Sequence, residues 1–382
     1  MVPTRKRFAQ HREEILRFWQ KCYDPESGGY HAWVGPTGEV WRRDHWSLLI
    51  HARLLYNYAE GIRAGIDIAS VNAERIYSFI LEKLSTPHGW FAGIYRGEQV
   101  HTETLDAYDN LFAVIGMARY AQATGDSSVL DRATSLLETI ERETIRGDLA
   151  TVGVVGHMGA HGRRISSREQ YSGNNNLHYL EALARLRDAG VNHDLEVKVG
   201  KMREFFLSYI LDKSGTFTHD RFREGFDKPW TGLGAYVSLG HALEWVDFFR
   251  GFPGQALDEA TEKAIMAHAM EHAVQEDGLF EDSFYLTEGR CAGGADFWPQ
   301  VEAVKTFNLA AEVYGAPYDE VARRLATYYF DHFVDTDGGV FSEIDRNGVV
   351  LSRFKGGYWK CDYHSMRMCV DVVDRKGGAF DD

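Results

Sequence analysis

The 382-residue chain has little of what stiffens or cross-links a protein: eight prolines and four cysteines. Cys22, Cys291, Cys361 and Cys369 are scattered, and none forms a CxxC pair. That argues against a disulfide framework or a thiolate zinc site, and points to free thiols in a reducing cytoplasm. The chain also lacks a Lys/Arg-rich run and carries a net charge of −14. A nucleic-acid partner, which needs a concentrated basic face, is therefore not expected. No apolar run approaches the roughly 20 residues that span a bilayer. The basic N-terminus is not followed by a signal-peptide core, so a cytoplasmic protein without membrane contact is expected. Neither a strand followed by GxGxxG nor a Walker pattern is present, which leaves nucleotide cofactors unsupported. HExxH, cysteine-cluster and Asp-rich calcium patterns are missing too, so no cofactor and no metal is expected.

Glycine, by contrast, is plentiful at 38 residues, and it marks a repeat. A Gly-aromatic element recurs at Gly28-Gly29-Tyr30, Gly89-Trp90, Gly215-Thr216-Phe217, Gly278-Leu279-Phe280 and Gly338-Gly339-Val340-Phe341. The intervals are 60 residues from Tyr30 to Trp90, 63 from Phe217 to Phe280 and 61 from Phe280 to Phe341. The interval of 127 between Trp90 and Phe217 leaves room for one degenerate copy, supplied by the Gly-rich stretch 153–162. Apolar residues at three- and four-residue spacing predict twelve helices, near 5–22, 44–64, 67–85, 104–124, 126–145, 166–188, 192–213, 234–250, 256–275, 295–315, 317–334 and 358–374. Between them, short alternating stretches such as Tyr30–Val34, with turn chemistry at Gly35–Gly38 and Arg346-Asn347-Gly348, predict small β-hairpins.

Six helical hairpins point to an all-α (α/α)6 barrel, with an open solenoid as the alternative. Closure is favoured by the count of six and by unusual residues on alternate helices. No Pro/Ser/Gly-rich linker divides the chain, so residues 1–382 read as one domain. The second helix of each hairpin carries polar or aromatic residues in apolar surroundings: Arg53; Tyr108 with Asp109; Asn174 and His178; His241 and Glu244; Trp298 and Glu302; and His364, preceded by Trp359. In a closed barrel these converge on one axis, as a small-ligand pocket with aromatic walls requires. His241 and Glu244 are three apart, so the carboxylate can accept the imidazole N–H and raise its basicity. Asn174 with His178, and Trp298 with Glu302, share a helix face by the same geometry.

The segments around Arg53, Asn174–Glu181, Gly240–Trp245, Phe297–Glu302 and Trp359–Cys369, with the opening Asp24–Tyr30, are similar to the N-acylglucosamine 2-epimerase superfamily, which includes cellobiose 2-epimerases and mannose isomerases. The resemblance spans nearly the full length. It implies an (α/α)6 barrel and metal-independent chemistry at carbon 2 of a reducing sugar, as a monomer or a homodimer. By motif position, His241 and His364 are the acid/base pair, Arg53 and His178 bind around O1 and O2, and Glu244 orients His241. Trp298 stacks on a sugar ring, and Tyr108, Asn174, Glu302 and Trp359 complete the binding wall. Asp362, Ala242 and Gly173 depart from the common pattern and leave the sugar open.

The chemistry suits those residues. A hydrogen on carbon 2 of an open-chain aldose is acidified by the carbonyl, and its removal gives an enediolate that needs positioned donors. Imidazole, with a pKa near neutrality, is the natural base. Proton return to the opposite face of carbon 2 gives the epimer, and return to carbon 1 gives a ketose. A hydrolase or lyase on the same barrel would use paired carboxylates among Asp109, Glu244 and Glu302. A helical-repeat binding scaffold would show a stripe of residues without converging histidines. Arg53 has a bland alternative as the ion-pair partner of Asp109 or Glu302.

Overall fold

The computed structural model describes all residues except 1, 101, 160–162, 165–170, 193, 224, 376, 381 and 382, and describes 157, 159, 163 and 164 by backbone alone. Its helices are α1 (Arg5–Gln20), α2 (Leu48–Arg63), α3 (Ala69–Lys83), α4 (Ala107–Thr124), α5 (Ser127–Thr144), the one-turn α6 (Leu149–Val152), α7 (Gly173–Asp188), α8 (Leu195–Phe205), α9 (Leu239–Arg250), α10 (Glu259–His272), α11 (Phe297–Tyr314), α12 (Tyr318–Tyr328) and α13 (Tyr363–Asp374). α8 and α12 each run on into one π turn, Phe206–Ile210 and Tyr329–Phe333. Each of the twelve expected windows holds one long helix.

α2, α4, α7, α9, α11 and α13 pack successively on one another, and α13 returns to α2, so the ring closes. The outer helices α3, α5, α8, α10 and α12 each lie on the inner helix before them in the chain, and α1 lies on α13. This is the (α/α)6 barrel, not the open solenoid. Burial follows the layering. Every residue of α2 from Leu48 to Gly61 is buried, whereas α5 and α12 bury one face and expose the other. None of the described helices is long and apolar enough to cross a membrane.

The inner helices begin several residues later than the periodicity predicts. Before α2, α4, α9 and α11 the leading residues pair as short strands, and a Ser or Asp side chain caps α2, α4, α7 and α9. Ser47, Asp106, Ser172 and Ser238 accept from Ile50 N, Asp109 N, Asn174 N and His241 N. Four residues after each of three caps, a polar side chain holds a Gly-aromatic element. Tyr30 N donates to His51 Nε2 at 3.0 Å, Phe91 N to Asn110 Oδ1 at 2.9 Å, and Val154 N to Asn176 Oδ1 at 2.7 Å. Gln300 does the same for Phe280 N at 2.7 Å on α11. The described part of 153–162 thus fills the place of the degenerate copy, and 160–162 lie outside the described residues.

The predicted hairpins form above this end of the barrel. β1 (Trp33–Val34) pairs with β2 (Val40–Arg42). The strand leading into each of four inner helices then pairs antiparallel with the hairpin that follows the next outer helix. β3 (His45–Trp46) takes β4 (Ile94–Tyr95) and β5 (Glu98–Gln99), and β6 (Thr104–Asp106) takes β7 (His157–Gly159) and β8 (Arg163–Arg164). β9 (Tyr236–Ser238) takes β10 (Ser283–Tyr285) and β11 (Arg290–Cys291), and β12 (Ala295–Asp296) takes β13 (Glu343–Ile344) and β14 (Val350–Ser352). A Ser172–Arg221 bridge repeats the pattern before α7, and Lys355 N on Val34 O at 3.0 Å completes the circle. The loops are therefore stitched around the N-terminal mouth of the inner ring, which is where the unusual residues lie.

Candidate active site

The first turn of α9 carries His241. Ser238 caps it, and Asp282 Oδ1 accepts from Gly240 N at 2.7 Å and Ser238 Oγ at 2.8 Å. Gly240 has no side chain because a Cβ there would sit 3.0 Å from both Asp282 Oδ1 and Pro299 Cβ on α11. His241 Nδ1 lies 2.7 Å from Asp220 Oδ1, and Asp220 Oδ2 accepts from Ser238 N at 2.7 Å. A carboxylate only accepts, so Nδ1 carries the proton and Nε2 is the working atom.

His364, in the first turn of α13, repeats the arrangement with a different carboxylate: Nδ1 donates to Glu302 Oε1 at 2.7 Å. His178 on α7 donates from Nδ1 to Glu181 Oε2 at 3.0 Å. The indole of Trp298 packs against two of these imidazoles, 4.8 Å from the ring of His241 and 5.6 Å from that of His364. Arg53 is 3% exposed, donates to Tyr108 Oη at 2.9 Å and Trp359 O at 2.6 Å, and lies 4.2 Å over Phe112. Its Nε has no partner, and among the described residues no carboxylate pairs with it, neither Asp109 nor Glu302. The ring of His178 packs on Phe112 and Tyr108. Asn174 Oδ1 is buried without a hydrogen-bond partner. Every expected residue except Trp359, which is 55% exposed at the rim, is buried or partly buried around this one space.

One expectation needs correction. Glu244 does not take the N–H of His241; Asp220 does. A residue three positions further along α9 lies a turn deeper in the barrel, and there Glu244 Oε1 accepts from Arg367 Nη1 at 2.8 Å. Asp220, entering from the loop above, reaches the imidazole from the mouth. Glu302, expected in the binding wall, is held by protein partners. It is fully buried, Oε1 accepts from His364 and from Arg367 at 3.1 Å, and Oε2 meets Lys305 Nζ at 2.6 Å.

These partners set the two imidazoles apart. Burial alone lowers both. For His241 the Asp220 carboxylate outweighs it by charge and hydrogen bond, with Glu244 and Asp282 adding, and the imidazole is raised to about 9. For His364 burial prevails over Glu302, with Arg53 and Arg367 opposing the charge further, and the imidazole falls to about 3. Glu302 cannot offset burial of His364 because Arg367 and Lys305 share its charge; they hold its own carboxyl well below the usual range despite burial. Burial pushes Glu244 up to about 7, with Glu302 beside it adding and Arg367 opposing. Burial takes His178 down to about 4. At neutral pH His241 is an imidazolium and His364 a free base.

Glu244, Glu302 and His364 bring three donor atoms within 4.8 Å of one another, the spacing of a metal site. Arg367 and Lys305 already ion-pair with those carboxylates, and a cation there would meet their charge. Asp220, Glu181, Arg367 and Lys305 are the working partners that sequence reasoning missed. Glu181 stands three after His178, and Arg367 is a lone charge within Met366–Met368, so both carried a signal. Asp220, on a loop, carried none.

A closed ring of helical hairpins with two carboxylate-backed imidazoles around one aromatic ring defines a class of barrel enzyme built for proton transfer. The family model for N-acylglucosamine 2-epimerase matches residues 28–368, and the chain belongs to that family. It is 25% identical to a cellobiose 2-epimerase of Bacteroides fragilis, over 94% of this chain and 95% of that protein. It is 22% identical to a D-mannose isomerase of Marinomonas mediterranea, over 95% of each. The solved structure of a cellobiose 2-epimerase from Bacillus thermoamylovorans B4167 superposes with a TM-score of 0.85, at 20% identity, covering 97% of this chain and 99% of that one.

Proposed function

We propose that the chain is a sugar 2-epimerase using His364 and His241 as its base and acid. The observation that carries this is a pair of imidazoles, each with its Nδ1 held by a carboxylate and both packed against Trp298. Neutral His364 Nε2 takes the proton from carbon 2 of an open-chain aldose. The C–H pair becomes the C1=C2 bond of an enediolate, and the carbonyl electrons move to O1. Arg53, held by Tyr108 and the Trp359 carbonyl, supplies the positive charge for that oxygen, and His178 adds a neutral imidazole beside it. His241 Nε2–H then delivers a proton to carbon 2 from the other side, and the configuration is inverted. Trp298 covers the apolar face of the sugar. Family membership and the cellobiose 2-epimerase relatives support the reading. The mannose isomerase relative supports a second outcome from the same residues, with the proton returned to carbon 1 and a ketose formed.

Incubating the protein in D2O with mannose, glucose, fructose and cellobiose and following products by NMR tests this. Deuterium at carbon 2 of an epimerised aldose is expected, and a ketose signal moves the assignment to isomerase. Absence of exchange with every sugar sinks both. His241→Ala and His364→Ala should each lower kcat by roughly 10²–10⁴ with the fold intact.

A further inference from the structure

The ring has a second mouth. Toward the C-terminal ends of the inner helices, opposite the stitched loops, side chains from α2, α4, α7, α9, α11 and α13 surround a cavity of about 480 Å³. The volume falls within the range of pockets that hold small ligands. Basic side chains outnumber acidic ones in its wall, although the whole chain carries a net charge of −14. The negative ends of the helices account for cations gathering there. They do not account for how the charges are shared.

On the side of α2, α4 and α7, four arginines share two carboxylates. Arg63 and Arg119 both pair with Glu60, and Arg119, Arg185 and Arg187 all reach Asp188. That leaves an excess of positive charge, and Arg185 Nε is buried with no hydrogen-bond partner. Across the ring on α13, Asp371 Oδ2 is likewise buried without a partner. Burial raises the Asp371 carboxyl above its ordinary range, against the opposing charge of Arg375. A donor and an acceptor left open on facing walls suit a ligand that carries both kinds of partner.

The surroundings narrow that ligand. Guanidinium forks with positive charge to spare suit a doubly charged oxyanion such as phosphate. A bare ion would leave most of the cavity empty and Asp371 still unpaired. An ammonium would meet Lys305, Arg367 and Arg375, which already ion-pair with the aspartates of the other wall. Hydroxyl groups reach the same carboxyls without adding charge. Tyr56 and Phe248 supply wall for a short carbon skeleton.

We propose that this cavity binds a small phosphate ester of a polyol, its phosphate among Arg63, Arg119, Arg185 and Arg187 and its hydroxyls toward Asp247 and Asp371. The site is separate from the reacting one: its wall includes none of His178, His241 and His364. Arg367 and Lys305 line it and also hold Glu302, so its occupant is one carboxylate away from His364.

Isothermal titration calorimetry on the full chain at fixed ionic strength would compare glycerol 3-phosphate, inorganic phosphate and glycerol. Glycerol 3-phosphate has no carbonyl and cannot enter the proposed reaction, so its binding is read apart from turnover. It should bind one to one, at least about threefold more tightly than inorganic phosphate, and glycerol should give no heat. Arg187→Gln removes a cation from the wall, and Gln122→Glu keeps the volume and adds a negative charge to it. Each should weaken glycerol 3-phosphate about tenfold or more, with far-UV dichroism unchanged. Absence of heat with glycerol 3-phosphate overturns the proposal, as does equal affinity for inorganic phosphate. Unchanged affinity in either folded variant overturns it too, because the phosphate then sits elsewhere, such as beside Arg53.

Discussion

Asp220 stands 21 residues before His241 on a loop that no helical period reaches, and its carboxylate keeps that imidazole protonated while burial keeps His364 neutral. The shift has a sign that can be followed. His241 is raised from 6.5 to about 9 in the folded chain, so the stability it contributes is fully present below about 6.5 and is lost as pH rises through about 9. On the order of 3 kcal/mol is involved. In Asp220→Asn the alkaline limb of kcat/KM should fall from near 9 toward the ordinary imidazole value, and kcat should drop roughly 10²–10⁴. A pH–rate profile reads both, and an unmoved limb rules out Asp220 as the source of the charge. The residues legible in the sequence were lone polar groups on apolar helices: Arg53, His178, His241 and His364. Glu244 was visible for the same reason, but spacing along one helix gives the neighbour, not the depth. At that depth Arg367 is the closer partner, and only the loops bring Asp220 to the imidazole.

At the scale of the element, the inner helices were found by their apolar period but begin later than it predicts. The period continues into residues that pair as strands, and the Ser or Asp cap decides where the helix starts. A cap exchanges one backbone hydrogen bond for another and leaves the apolar pattern untouched, so periodicity cannot see it. Close contact between α2 and α4 depends on a position that looks ordinary in sequence. A Cβ on Gly116 would lie 2.5 Å from Ala52 O, a backbone atom that cannot swing away. Gly116→Val should therefore destabilise the fold by ~1–3 kcal/mol or more, seen as a lower midpoint in urea denaturation. An unchanged midpoint means the two helices can separate at no cost. Because α2 carries Arg53 and α4 carries Tyr108, the same variant should weaken sugar binding.

For the molecule as a whole, the sixty-residue period and the count of six foretold the ring, but closure itself rests on contacts between the far ends of the chain. α13 on α2, and Lys355 on Val34, are long-range and leave no periodic trace.

The circle of stitched loops and helices has one more implication. Phe380 packs against Phe8 at 4.9 Å between ring centroids, and Arg12 reaches Asp374 at 3.4 Å, so the two ends of the chain meet within the outer layer. In a ring whose neighbours repeat the same contacts, the place where the polypeptide is cut is an accident of connectivity. A circular permutant opened at exposed Gly190, between α7 and α8, with a short linker from beyond Phe380 to Thr4, should keep its far-UV dichroism and its turnover. Loss of both would mean that the order of synthesis, and not the ring alone, carries the fold.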